Sequence, residues 1–303
     1  MIRPKPNPFQ VWLRAVRALS LTTTIIPVLL GGGFAMIDRG FDGWTFLLTM
    51  VAAMLLQAGT NLFNDYFDHL KGADASGSLS PSGALQQGWL TLRHVYVGGW
   101  VCFALTVLLG VFLVLKGGWP ILLLGLLGLA GGYLYTGTRF AFAYHALGEV
   151  TAFLLLGPLM VFGTYYVMVK MFFWSVVLGA IPIGLLTAAI LHANNLRDLE
   201  HDRLIGKKTL ATLLGWEKAR WEYYLLLMAA YVAPLVLVLL KMTPWTVLLT
   251  LLTLPLAIKL VRTVKHTHDP MELNLVLGLT VLLQLLFGIL NVFGVFLYYF
   301  LEL

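Results

Sequence analysis

Nine apolar stretches, each near the length a bilayer demands, leave this 303-residue chain little choice of architecture. They cover residues 19–36, 44–64, 94–115, 119–135, 147–169, 174–196, 221–240, 244–260 and 273–300. A spanning helix needs about 20 mostly apolar residues. Lipid offers the backbone no hydrogen-bond partners, and the Leu, Val, Phe and Gly runs lack the alternation of a barrel, so the stretches read as helices. Composition agrees: 59% of residues are hydrophobic and 11% charged, against about 25% charged in soluble domains. The expectation is an all-α, polytopic membrane protein with nine transmembrane helices in one membrane-embedded domain, residues 1–303. Trp44, Trp119, Trp174, Trp221 and Trp245 fall at or near span starts, where interfacial anchors belong. The one cysteine, Cys102, excludes a disulfide framework and a Cys-based metal site. No small-residue cleavage site follows the basic, Pro-rich opening, so no removable leader is expected.

Net charge is +6, which raises the question of nucleic acid. The placement of the charges answers it. With a cytoplasmic N-terminus, only Arg39, Lys116, Lys170 and Lys241 fall outside, and the other sixteen of the twenty Lys and Arg lie inside. That asymmetry follows the positive-inside rule. The basic balance therefore sets topology, and no nucleic-acid partner is expected. Two inside connections, 65–93 and 197–220, are long and polar, and they follow the second and sixth helices. They suggest two related halves, each carrying one half of a site, near 61–93 and 194–220.

The first motif runs Asn61-Leu-Phe-Asn64-Asp65-Tyr-Phe-Asp68, then Lys71-Gly72-Ala73-Asp74. On a helix, Asn64 and Asp68 lie at i,i+4 and Asp65 and Asp68 at i,i+3, so they share a face, with Asn61 one turn below. Three carboxylates this close repel one another unless cations join them. Mg²⁺, a hard ion, takes carboxylate and phosphate oxygens and can bridge such a cluster to a diphosphate. An ordinary solvated helix end is the competing explanation. The second motif is Asn194-Asn195-Leu-Arg197-Asp198-Leu-Glu-His-Asp202, followed by Lys207 and Lys208. Asp198 and Asp202 are again i,i+4. Alone it reads equally as a charged capping segment; beside the first motif it supplies a second carboxylate cluster for the same diphosphate. Lys207 and Lys208 add cations for that diphosphate or serve topology alone.

These residues resemble the UbiA superfamily of intramembrane aromatic prenyltransferases, whose motifs are written roughly NDxxDxxxD and DxxxD. The resemblance covers most of the chain. The details are most similar to the MenA-type branch, which prenylates 1,4-dihydroxy-2-naphthoate on the route to menaquinone. Asn64 to Asp68 with Lys71 to Asp74, Tyr135-Thr136-Gly137, Leu147-Gly148-Glu149, Gly163 to Val167, and Asn194 to Asp202 with Gly206 to Ala211 carry it. Two departures stand out. Gly72 occupies the place of the general pattern's third Asp, and Asp74 sits two residues later. Where the branch tends to carry Gly-Gly-Pro, this chain has Gly137-Thr138-Arg139, so Arg139 is either a substrate-binding cation or a topological one.

The resemblance implies helices around a central cavity and Mg²⁺ held by Asp65, Asp68, Asp74, Asp198 and Asp202. Asn61, Asn64, Lys71, Tyr135, Asn194, Asn195, Arg197, Lys207 and Lys208 would bind the substrates. A polyprenyl diphosphate would enter from the bilayer, ionise to an allylic cation in an aromatic-lined cavity, and be attacked by the ring carbon of an aromatic acceptor. Arg17 would pair with an acceptor carboxylate or anchor the first helix. Glu149 is a costly lone membrane carboxylate; it would orient Arg139 or act as a base. The seven His show no ligand spacing that competes with the carboxylates. Other acceptors remain open: geranylgeranylglyceryl phosphate, another quinone precursor, a chlorin or a haem. A cation-coupled transporter is the rival of another class, though transporters place ionisable groups near the midplane, and these gather at one face.

Overall fold

The computed structural model describes residues 6–73 and 82–302, and among them no strand occurs. Asp74 lies outside the described residues. The helices are α1 (Pro8–Ala15), α2 (Ala18–Ile37), α3 (Gly43–Leu70), α4 (Leu92–Gly117), α5 (Trp119–Leu134) and α6 (Gly148–Val169). They continue with α7 (Trp174–Arg197), α8 (Leu199–Leu204), α9 (Leu210–Leu239), α10 (Trp245–His266) and α11 (Pro270–Leu301). Eight of these are long and apolar enough to cross a membrane: α2, α3, α4, α6, α7, α9, α10 and α11. The fourth expected span, α5, is apolar but has 16 residues, about 24 Å at 1.5 Å per residue, less than the ~30 Å of hydrocarbon. The nine expected helices thus resolve into eight of spanning length and one short. The protein is multi-pass, and all five expected Trp anchors are exposed.

Sequence signals set most ends. Asp42 caps α3 by accepting from the Thr45 amide at 2.8 Å, and the ammonium of Lys116 bonded to it holds its carboxyl down at about 2. Thr91 and Thr209 form capping boxes with His94 and Thr212. The start of α9 lies eleven residues before the expected 221, because its first turns carry charges that an apolar reading skips. Gly215, at φ +75°, bends the helix there in a conformation that favours glycine.

Three connections then meet at one end of the bundle. The His201 Nε2–H donates to the Ala73 carbonyl at 2.9 Å, joining the segment after α3 to α8. The Ala146 amide donates to the Lys208 carbonyl at 2.8 Å, joining the α5–α6 and α8–α9 connections. Both motif regions are therefore held together, as their placement in sequence implied.

α6 is not a continuous α-helix. Residues Leu155–Leu159 form a π-turn around Pro158, with Gly157 at φ −118°, ψ −107°, the kind of local widening that a proline imposes. A Cβ on Gly157 would stand 2.6 Å from Gly184 Cα of α7, and one on Gly184 would stand 2.9 Å from the Phe153 carbonyl oxygen. The two backbones touch without side chains between them. Gly184→Val should therefore overpack the contact and cost about 1–3 kcal/mol, read as a lowered melting temperature in detergent. Gly125→Ala, whose Cβ would meet nothing within 4 Å, should not lower it, since alanine is the better helix former.

Candidate active site

A cavity of about 1060 Å³ runs from the motif-bearing end into the bundle. Its polar end is lined by Arg17, Asn61, Asn64, Asp68, Tyr135, Glu149, Asn194, Asn195, Arg197, Asp198, Asp202 and Lys207. Its apolar length is walled by Leu56, Leu113, Leu124, Leu155, Leu159 and Met160, among others. Leu115, Leu122 and Leu126 of α4 and α5 line it while remaining exposed on the bundle surface, so this wall faces lipid. The expected aromatic lining is not found: among the described lining residues Tyr135 alone is a Phe, Tyr or Trp. Tyr66 and Tyr133 instead pack with Phe63, Tyr96 and Trp100 to tie α3, α4 and α5 together. Tyr165 bonds Asp38.

The first motif is largely occupied by protein partners. Asp65 is buried between the Arg17 guanidinium and the Ser82 hydroxyl, one on each oxygen, and is not part of the cavity wall. Arg17, expected either to pair with an acceptor carboxylate or to anchor the first helix, is thus on the wall but paired with Asp65. Asn61 donates to the Val16 carbonyl at 2.8 Å and to Ser20 at 2.9 Å, which moors α2 to α3. Asn64 accepts from the Thr136 hydroxyl at 2.9 Å. Asp68 accepts from Tyr144 at 2.9 Å. Lys71, outside the cavity, donates to the Thr136 carbonyl at 2.6 Å and lies 4.2 Å from the centre of the Tyr144 ring.

In the second motif, Arg197 grips Asp198 with Nε at 2.8 Å and Nη2 at 2.6 Å, and reaches Asn194 and Asn274 at 3.0 Å each. Asp202 is buried, with Lys207 Nζ 3.5 Å from one oxygen and no hydrogen-bond partner on the other. Burial pushes Asp202 up to about 6, and Asp198 adds to the rise while Lys207 opposes it. Burial would lower Lys207, but Asp202, Asp68 and Asp198 outweigh it and hold the ammonium charged. Lys207 therefore sits among three carboxylates as the resident cation. The donor set suits Mg²⁺: hard carboxylate oxygens, one buried without a partner, facing a cavity. Arg139 and Lys208 are exposed and do not line the cavity.

Glu149 is not alone and does not orient Arg139. It is buried on the first turn of α6 and faces α7, where His192 and Asn195 reach its Oε1 at 3.1 and 2.8 Å. With Glu222 of α9, these form the one group of three His or acidic residues, among the described residues, whose ligand atoms lie within 4.8 Å of one another. No ligand spacing along the sequence marks His192, because the group is assembled from three separate helices. An ionisable side chain inside an apolar run was the available signal, and His192 is three residues from Asn195 on the same helical face. Ser82, Tyr144 and Asn274 were equally unmarked, and Thr136 stood out only as part of the Tyr135-Thr136-Gly137 stretch.

The sequence pattern of the UbiA prenyltransferase family matches residues 24–275, most of the chain. The chain belongs to the UbiA prenyltransferase family. It is 30% identical to the 1,4-dihydroxy-2-naphthoate octaprenyltransferase of Bacillus subtilis, over 96% of this chain and 94% of that one. Against the enzyme of the same name from Mycobacterium tuberculosis the identity is 33%, over 93% and 95%. Among solved structures, a UbiA homolog from Archaeoglobus fulgidus bound to DMAPP and Mg²⁺ superposes with a TM-score of 0.65 at 16% identity, covering 94% of this chain and 98% of that one. The apo UbiA homolog from Aeropyrum pernix K1 gives 0.68 at 16%, covering 92% and 98%. This UbiA-family protein is a membrane-embedded prenyltransferase.

The Asp202 shift in this UbiA-family enzyme has a measurable consequence. Folded, metal-free protein keeps that proton to about pH 6, whereas an unperturbed carboxyl releases it near 3.8. Between those values the folded state binds more protons, so the stability this group contributes is complete below the unfolded value and is lost as pH rises through the folded one. The melting temperature of chelator-treated protein should therefore fall as pH is raised from about 4 to about 6. Asp202→Asn should remove that part of the fall, as differential scanning fluorimetry would record.

Proposed function

We propose that this enzyme transfers a polyprenyl group from a polyprenyl diphosphate to 1,4-dihydroxy-2-naphthoate, with Mg²⁺, on the route to menaquinone. One observation carries the reading: a single cavity joins a carboxylate-rich polar end to a long apolar wall that faces lipid on α4 and α5. A diphosphate with a hydrocarbon tail has that same division. The octaprenyltransferases at 30–33% identity over nearly the whole chain support the acceptor.

In this reading Asp68, Asp198 and Asp202 would hold Mg²⁺, with Asp65 and Asp74 of the first motif contributing. When bound, Mg²⁺ supplies charge neutralisation that makes the diphosphate a better leaving group, worth several kcal/mol. Lys207 donates to the departing diphosphate from the position where it now balances the aspartates. Arg197 fixes Asp198 and the Asn194 amide, so its own charge is spent on positioning. Arg17 exchanges Asp65 for the acceptor carboxylate, which leaves Asp65 free to turn toward the diphosphate. Tyr135 offers its ring to the allylic cation, and the aliphatic walls exclude water that would quench it. Arg139 and Lys208 keep topological roles.

Purified protein with Mg²⁺, radiolabelled geranylgeranyl diphosphate and a panel of acceptors tests this. Dihydroxynaphthoate should be prenylated, and Asp68→Ala or Asp202→Ala should lower turnover at least about a hundredfold, the upper end of the roughly 10–100-fold loss seen when only a ligand's supporting hydrogen bond is removed. Full activity in either variant, or turnover of geranylgeranylglyceryl phosphate alone, would sink the assignment.

A further inference from the structure

The bonding around His192 fixes where protons can sit. Its side chain is fully buried, and Nε2 lies 2.7 Å from the Ala219 carbonyl. A carbonyl only accepts, so Nε2 carries a proton. Nδ1 then faces Glu149 Oε1 at 3.1 Å and Glu222 Oε2 at 3.6 Å. A bare lone pair there would meet two carboxylate oxygens, so a proton lies between the ring and the acids. Glu149 Oε2 and Glu222 Oε2 have no hydrogen-bond partner among the described residues. Two carboxylates and one imidazolium leave a net negative charge inside the bundle, which is expensive there. One more proton cancels it. The group is thus built to hold protons and to pass one along.

Its position gives the transfer a direction. Glu149 lines the cavity; His192 and Glu222 do not. Glu222 keeps 21% of its side chain accessible while its Oε2 is buried toward His192. The three residues therefore lead from the cavity wall past α7 to a partly accessible carboxylate on α9. The other titratable neighbours are accounted for elsewhere. Tyr135 lines the cavity beside Glu149, its hydroxyl 3.3 Å from where a Cβ on Gly148 would be. Tyr223 is bonded to Thr280 of α11, and Arg220 donates to the Thr267 carbonyl.

We propose that Glu149, His192 and Glu222 form a proton relay that removes the acceptor's hydroxyl proton from the cavity. The proposal rests on the prenyl-transfer reading above. Glu222 holds the stored proton at rest and releases it at its accessible side, which readies the group to take another. As the ring carbon bonds to the prenyl carbon and diphosphate departs, the acceptor O–H breaks, its electron pair stays on oxygen to form the ring carbonyl, and the proton passes to Glu149 Oε2. The acceptor's carboxylate then leaves as CO₂, its bonding pair restores the aromatic ring, and the oxygen takes a proton from water. The Nδ1 proton moves to Glu222 Oε2, and Glu149 returns its proton to Nδ1 by rotating its carboxyl, so the group again holds one stored proton. His192 ends as it began, and its Nε2 never leaves Ala219. No oxidant or further reactant is needed. Glu149 is the catalytic base; His192 and Glu222 act through it.

Infrared difference spectroscopy of reconstituted protein, with hydrogen–deuterium exchange, reads the stored proton without turnover. Wild type should show a protonated-carboxyl stretch that disappears in Glu149→Gln and in Glu222→Gln. In the prenyl-transfer assay Glu222→Gln should keep its KM for the diphosphate, lose at least about tenfold in kcat, less than the roughly 10²–10⁴-fold of an acid–base group that itself meets the substrate, and flatten the pH profile of kcat. Glu222→Asp should restore part of both, which a merely structural role would not produce. Absence of the carboxyl stretch, a stoichiometric transition metal in the purified protein, or an unchanged kcat and pH profile in Glu222→Gln would overturn the relay. A carboxyl stretch in wild type with no prenyl transfer to any acceptor would instead overturn the prenyl-transfer reading, so the two failures are distinct.

Discussion

Carboxylates cannot stay charged beside hydrocarbon without a cation, and the motif-bearing end of this bundle is organised by that constraint. Lys207 stands among Asp68, Asp198 and Asp202, Arg197 grips Asp198, and Arg17 holds Asp65. Each pairing joins different pieces of chain. Arg17 fastens the segment between α1 and α2 to α3, and Arg197 reaches α11 through Asn274. Charge compensation and assembly of the cavity mouth are therefore one process. It also explains why the polar end lies where three connections converge, since one helix could not supply both the acids and their partners.

The same compensation prepares the site for exchange. A buried ion pair gives little net stability, because desolvation offsets most of the attraction. Substituting a divalent cation for Lys207 beside the aspartates, or another anion for Asp65 beside Arg17, consequently costs little, while removing either partner outright leaves a charge stranded. The apolar remainder of the cavity contributes by excluding water rather than by making specific bonds. Glycine and aliphatic side chains serve that end, and the aromatic residues are spent on packing α3 against α4 and α5.

Much of this was legible in the sequence because it depends on local spacing. Asp65 and Asp68, or Asp198 and Asp202, share a helical face whatever the rest of the chain does, and apolar run length fixes the spans. Contacts between helices were not legible. Arg17 on Asp65 joins positions 48 apart, Tyr144 on Asp68 joins positions 76 apart, and both depend on how the connections fold back. Glu149 looked solitary for the same reason: its partners lie on two other helices. The missing aromatic lining shows a different limit. Composition counts rings without saying which side of a helix they occupy.

The π-turn in α6 has a consequence for phase. A residue added to a helix without adding a turn advances everything beyond it by about 100°. Val161, Thr164, Tyr165 and Met168 are buried beyond the turn, and Glu149 is buried before it. In an uninterrupted helix, seating the first group would swing Glu149 about 100° around the axis, off the line to His192. The widened turn at Gly157 and Pro158 acts as a vernier that lets both ends of one helix face inward at once.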